Sequence, residues 1–208
     1  MRAALISFAV VCLAFTLTPA MAQTGPGAGS ASPFFSQHRP PVPDPRDTIE
    51  RGLDRIKAFL ATSDQTNPVL INEFIEREVA PFFDFNTMTQ QILGPLNYRL
   101  TPLQRQGAAL KVKRSFLSAL ANNLAKYRGG DARYLKATGN LNRGRVRVRL
   151  AVFRPDTYPT ILELRIAHGA TGWKVVDVSA DGVSAVAYYR NYVRSVVQRS
   201  GLDGLLEP

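Results

Sequence analysis

Residues 145–152 alternate strictly: Val146, Val148, Leu150 and Val152 fall on one side, Arg145, Arg147 and Arg149 on the other. A two-residue period with one apolar side predicts a half-buried antiparallel strand. Residues 133–138 form a candidate strand before it, across a turn at 140–144. After a turn with two prolines at 154–160, residues 161–167 place Leu162, Leu164 and Ile166 opposite Glu163 and Arg165. A turn at 168–172 leads to a fourth strand, 173–179. Upstream the period is helical. Ile49, Leu53, Ile56 and Leu60 mark one face of a first helix, opened by Asp47 with Glu50 as a capping box. Asn67-Pro68 opens a second helix carrying Leu70, Ile71, Phe74, Ile75 and Val79, which stops at Pro81. Phe82, Phe83 and Phe85 follow, then a short helix over 87–93 ended by Gly94-Pro95.

Thr101-Pro102-Leu103-Gln104 opens the longest helix, which runs to Tyr127 before Gly129-Gly130, roughly 40 Å. Its stripe is Leu103, Leu110, Phe116, Leu117, Leu120, Leu124 and Tyr127. After Asp181-Gly182 a last helix spans 183–200, with Val183, Val186, Val193 and Val197 on one face and Gly201 at its end. Tyr188, Tyr189 and Tyr192 divide between core and surface. Helices, an antiparallel meander of approximately four strands, then a helix make an α+β domain with helices packed on one sheet face.

The N-terminal pattern changes the compartment. Met1-Arg2 is followed by an apolar run, 3–17, broken only by Ser7 and Thr16, and by Ala20-Met21-Ala22. This is expected to be a signal peptide, residues 1–22, cleaved before Gln23. The run is too short to span a bilayer comfortably. It contains Cys12, the chain's only cysteine, so the mature chain has none. Residues 23–46 hold six prolines and three glycines at Pro26, Pro33, Pro40, Pro41, Pro43, Pro45, Gly25, Gly27 and Gly29. Such a stretch cannot bury enough apolar surface to offset its ordering entropy and reads as a disordered linker. The domain then covers 47–208. A mature, exported periplasmic protein is expected.

At 208 residues, 45% hydrophobic and 20% charged, the chain suits one globular domain with a real core. Without cysteine, and with only His38 and His168, a metal site is not expected. There is no Walker loop, G-x-G-x-x-G, G-x-S-x-G or H-E-x-x-H motif. No catalytic set and no cofactor are expected. Asp177 sits among apolar strand neighbours. Such an acid is either a general base or, more commonly, a hydrogen-bonded group near a strand end.

The formal net charge is +10, and it is unevenly placed. From 99 to 154 there are fourteen Lys/Arg and one acid; from 44 to 91 there are nine acids and five bases. Arg143, Arg145, Arg147 and Arg149 form a basic surface stripe. It is either the solvated side of a strand or an attraction for anionic headgroups or an acidic partner. Export argues against nucleic acid.

Four segments in order carry a family resemblance. They are Val79-Ala80-Pro81-Phe82-Phe83-Asp84-Phe85 running into Ile92-Leu93-Gly94; Thr101-Pro102-Leu103-Gln104-Arg105 with Tyr127 at the end of that helix; Gly172-Trp173-Lys174-Val175-Val176-Asp177-Val178 with Asp181-Gly182-Val183-Ser184 and Tyr189-Arg190; and Gly201-Leu202-Asp203-Gly204-Leu205-Leu206. The set resembles the MlaC, or toluene-tolerance auxiliary, family of periplasmic phospholipid-binding proteins, which includes a hopanoid-associated variant, HpnM. The resemblance implies a curved sheet and helices enclosing an apolar cavity for acyl chains. It implies a carrier of phospholipid between an outer-membrane lipoprotein complex and an inner-membrane ABC transporter with an MCE-type subunit, in an outer-membrane lipid asymmetry system.

The candidate lipid-binding residues are Phe82, Phe83, Phe85, Phe116, Leu120, Val146, Val148, Leu150, Leu162, Leu164, Ile166 and Trp173. Trp173 reads first as core. Two departures from the family pattern bear on cavity shape: Ala109 and Val112 stand where bulky aromatics are usual, and Pro95-Leu96-Asn97-Tyr98-Arg99 replaces an aromatic-rich segment. Two other classes stay open on the residues. One is an enzyme of the ketosteroid-isomerase kind using Asp177 and a tyrosine. The other is a non-enzymatic envelope binding module that uses the arginine stripe.

Overall fold

The computed structural model describes residues 42–63, 67–125, 131–154 and 158–202. The signal segment, the linker up to 41 and the helix end at Tyr127 lie outside them. Among the described residues, five α-helices and five strands follow, all but β5 in the order expected: α1 Pro45–Thr62, α2 Pro68–Phe74, α3 Phe85–Leu93, α4 Pro102–Ala125, β1 Asp131–Asn140, β2 Arg145–Phe153, β3 Thr160–Gly169, β4 Gly172–Ala180, β5 Val183–Ser184 and α5 Ala185–Ser200. The sheet is antiparallel throughout, each strand beside its chain neighbour in the order β1-β2-β3-β4-β5.

Helix α1 starts inside the stretch read as linker. Asp44, not Asp47, is its N-cap, accepting from the Arg46 N–H at 2.8 Å, and Pro45 takes the first helical position. The start is held from across the fold: the Trp173 indole N–H donates to the Pro43 carbonyl at 2.7 Å. Proline density alone therefore overstated the linker at its C-terminal end.

The segment after α2 does not stop at Pro81. It loosens into a π-helical turn, Ile75–Val79, then tightens into a 3-10 turn, Ala80–Phe82. Proline is tolerated because it sits in the first turn of the tighter helix. The Asp84 side chain then caps α3 through the Thr87 N–H and hydroxyl, at 2.9 and 2.6 Å. The box at α4 forms reciprocally: Thr101 N–H donates to Gln104 Oε1 at 2.8 Å, and Gln104 N–H to Thr101 Oγ1 at 3.3 Å. Only part of the α4 stripe is internal. Phe116, Leu117 and Ala121 are buried, while Leu103 and Leu110 are exposed.

The fifth strand is the correction to the sheet. Asp181 (φ 48°) and Gly182 (φ 87°) have the two successive positive φ values of a tight hairpin turn. Val183 and Ser184 therefore pair back on Ala180 and Ser179 before α5 begins. Val183, expected on the last helix's apolar face, is exposed in this short strand. Gly139 is fixed by contact as well as conformation. At φ 135°, a Cβ there would stand 2.7 Å from the Arg145 carbonyl oxygen.

Helix α1 meets β1 through an ion pair, Lys57 Nζ to Asp131 Oδ1 at 2.8 Å, and Arg133 Nε lies 2.7 Å from the other oxygen. Arg133 first, then Lys57, hold the Asp131 carboxyl at a pKa of about 2. A depressed carboxyl pKa contributes stability above the unfolded value, near 3.9, and loses it as pH falls through the folded one. The Asp131 carboxyl signal is thus expected to titrate below pH 3 by NMR. Neutralising Lys57 and Arg133 to Gln should return its midpoint to near 4.

Candidate functional site

The inward sides of the two layers bury separate apolar clusters. On the sheet, Val146, Val148, Leu150, Leu164, Ile166, Trp173 and Val175 pack together with Ile49 of α1. Among the helices, Ile71, Phe74, Ile75, Val79, Met88, Phe116, Leu117 and Ala121 form the second. Phe83 and Val178 touch both. Phe83 is positioned by backbone: it bridges in parallel to Val175, and the next N–H, of Asp84, donates to the Val175 carbonyl at 2.9 Å. Its ring lies 5.6 Å from Phe85 and 5.0 Å from Phe116, with Phe85 to Phe116 at 6.0 Å.

Around this triad runs a seam of half-buried apolar side chains. Phe83, Phe85, Leu120 and Leu124 border the helical cluster, Leu162 extends the seam along the sheet cluster, and Val178 borders both. Apolar groups on the inward face of a layer normally close against the facing layer, so partial exposure there marks incomplete closure. Of the sequence candidates, six are therefore buried in the sheet cluster (Val146, Val148, Leu150, Leu164, Ile166 and Trp173), with Leu162 packed on it. Phe83, Phe85, Phe116 and Leu120 meet in the helical cluster or on its edge. Phe82 stands apart. It lies against Gly52 of α1, under the Arg55 guanidinium at 5.6 Å.

Val178 was missed as a bridging residue because strict alternation from Trp173 and Val175 points Asp177 inward instead. A bulge resets the parity. Ile166 pairs with Val175 and Arg165 with Asp177, leaving Val176 as the extra residue. The bulge sends Asp177 to the other side, where it is 1% exposed.

Both Asp177 oxygens are occupied. Oδ1 accepts from the Val186 N–H at 3.0 Å; Oδ2 accepts from the Ser184 hydroxyl at 2.6 Å and pairs with Arg165 Nη2 at 2.8 Å. Arg165 also donates to Gln91 Oε1 at 3.2 Å, and Arg190 makes two bonds to the Gln91 carbonyl, at 3.0 and 2.7 Å. The network ties α3, β3, β4 and α5 together. Asp177 thus takes the hydrogen-bonded role of a strand-end acid, at the start of α5. Tyr189 packs between the helical cluster and a third cluster. Its hydroxyl pKa is raised, by burial first and by Tyr188 second.

An apolar groove of about 400 Å³ lies elsewhere, between the end of α3, the 3-10 turn Gly94–Tyr98 and α5, with Ile92, Leu93, Leu96, Val193 and Val197 on its walls. None of the sequence candidates lines it. The two departures from the family pattern meet beside it: Leu96 and Val112 both pack on the third cluster.

Arg145, Arg147 and Arg149 are exposed on the outward sheet face, and Arg143 is exposed on the turn before them. Among the described residues, no His/Cys/Asp/Glu group is placed to hold a metal ion, and no helix is long and apolar enough to cross a membrane.

Comparison with known proteins agrees with this architecture. A search of curated proteins returned no significant match. The phospholipid-binding protein from Ralstonia solanacearum, solved in complex with a phospholipid, superposes with a TM-score of 0.72 at 25% identity, over 79% of this chain and 93% of that one. The family model for the MlaC protein matches residues 47–208, from the first turn of α1 onward. The chain belongs to the MlaC family.

Proposed function

We propose that this protein is a non-enzymatic phospholipid carrier of the periplasm. It would take a phospholipid's acyl chains into the seam between the helical layer and the sheet, around Phe83, Phe85, Phe116, Leu120, Leu162 and Val178. The observation that carries this reading is the family membership over the domain together with a structural neighbour that binds a phospholipid. The half-buried apolar seam supports it. At about 0.8 kcal/mol per methylene, hydrating roughly 30 methylenes costs on the order of 24 kcal/mol, so a lipid crosses water only if most of that surface is covered. Walls that stop short of full closure supply such cover without a filled core to displace.

The carrier reading includes export by the 1–22 segment. It includes loading and unloading at an outer-membrane lipoprotein complex and an inner-membrane ABC transporter with an MCE-type subunit. No metal, cofactor or covalent step is needed. The test is native mass spectrometry of the exported chain, with lipid extraction. Bound masses matching phospholipids are expected. A hopanoid mass would keep the carrier and change its cargo. A bare protein that also fails to take phospholipid from vesicles would overturn the reading.

A further inference from the structure

We propose that the outward face of the sheet is a docking surface for an anionic lipid bilayer. The strand register carries the inference. Arg145, Arg147 and Arg149 project from β2, Lys136 of β1 stands directly opposite Arg149, and Arg165 of β3 directly opposite Arg147. Like charges at directly opposed sheet positions destabilise the pair. The face holds two such juxtapositions side by side.

Little on the protein relieves them. Glu163 reaches Arg147 only at 3.8 Å. Asp177 pairs with Arg165 from beneath at 2.8 Å, and its oxygens are otherwise taken by Ser184 and Val186, so it compensates Arg165 alone. Lys136, Arg145 and Arg149 have no acid within ion-pair distance among the described residues. From Arg145 to Arg149 is about 14 Å along an extended strand, and neighbouring strands lie about 4.8 Å apart. Four exposed bases, Lys136, Arg145, Arg147 and Arg149, are therefore gathered on a small patch, with the half-buried, paired Arg165 at its edge.

The composition of the face selects the partner. The core of a protein–protein interface is apolar and aromatic, with charge depleted. Around the bases the outward positions are Thr138, Asn140, Glu163, Ala167 and Ser179, with Lys174 opposite Ala167; the apolar ones, Ala151, Ile161 and Phe153, lie beyond Arg149 at the far end of β2 and the start of β3, with Phe153 half-buried beneath the Arg133 guanidinium at 5.0 Å. A cationic patch whose neighbouring outward aromatic ring is already covered matches an array of lipid phosphates, held by charge and not by insertion. This docking does not depend on the protein carrying a lipid.

The test is co-sedimentation of the exported chain with vesicles of phosphatidylcholine alone, or mixed with phosphatidylglycerol. Binding is expected to the mixed vesicles, weakening as salt rises. Each base removed from the contact should lower the affinity about fivefold. The variant R145Q/R147Q/R149Q should thus bind about a hundredfold more weakly. R99Q/R114Q/R199Q loses the same charge at exposed positions off the sheet face and should stay within a few-fold of the parent. Equal loss in both variants would reduce the effect to net charge and overturn the proposal. Undiminished binding by the sheet variant would also overturn it, pointing to an acidic protein as the partner. Circular dichroism confirms that both variants fold. Phosphorus assay of the unsedimented protein reads cargo separately, so docking and carriage fail or stand independently.

Discussion

Replacing Asp177 with Ala is expected to lower the unfolding free energy by about 3 kcal/mol, near the bottom of the range for breaking a buried ion pair. Three losses combine. The start of α5 loses the acceptor for its Val186 N–H and for the Ser184 hydroxyl, and Arg165 loses its only acid partner among the described residues, keeping Gln91. Arg165 is 43% exposed on its side chain, so water recovers part of its charge and the cost stays below that of a fully buried pair. For a domain of this size the drop corresponds to roughly 6–12 °C in melting temperature. Asp177→Asn keeps an oxygen for Val186 and should lose about half as much. Thermal and urea unfolding of the two variants measure this. A change within 1 kcal/mol for the alanine variant would mean the network contributes little, and would reopen a chemical role for the acid.

The second large effect concerns cargo. Leu120→Trp and Leu162→Trp each add bulk to the seam from opposite layers, at positions that are only partly buried. Both should reduce co-purifying phospholipid from near one per chain to near none, while the melting temperature moves by only a few degrees. Val69→Trp, at a site 61% exposed on α2, is the matched control and should leave lipid unchanged. Val148 is the wrong place for such a test. It is completely buried, and overpacking there costs about 1–3 kcal/mol before any lipid is considered. Parent-like lipid content in both seam variants would remove the seam from the binding site.

Where local chemistry is unambiguous, the sequence was legible. The alternation of β2, the reciprocal box at Thr101 and Gln104, and Asn67-Pro68 at α2 each fix geometry within a few residues, and each appears as expected. The misses share one cause: a tertiary contact overrode the local signal. Six prolines and three glycines read as linker, yet the last of that stretch is held by an indole 130 residues away. Asp181-Gly182 is a strong hairpin signal. In the sequence it reads as a helix start, because the partner of the two-residue strand is visible only in the fold. The bulge at Val176 leaves no mark in a run of valines, so the parity of Asp177 and Val178 could not be read. The seam is a relation between layers that no single segment encodes.

The meander has a temporal consequence. Every strand pairs with its immediate neighbour in the chain, so the sheet assembles through short loop closures, which are fast. The contact between Pro43 and Trp173 closes almost the whole domain at once. It is among the most expensive closures in chain entropy and is rewarded only after the sheet exists. The sheet should therefore condense first and α1 should arrive late. For a short interval during maturation, one wall of the compartment stands finished and uncovered. Escape from aggregation in that interval depends on how soon the first helix lands.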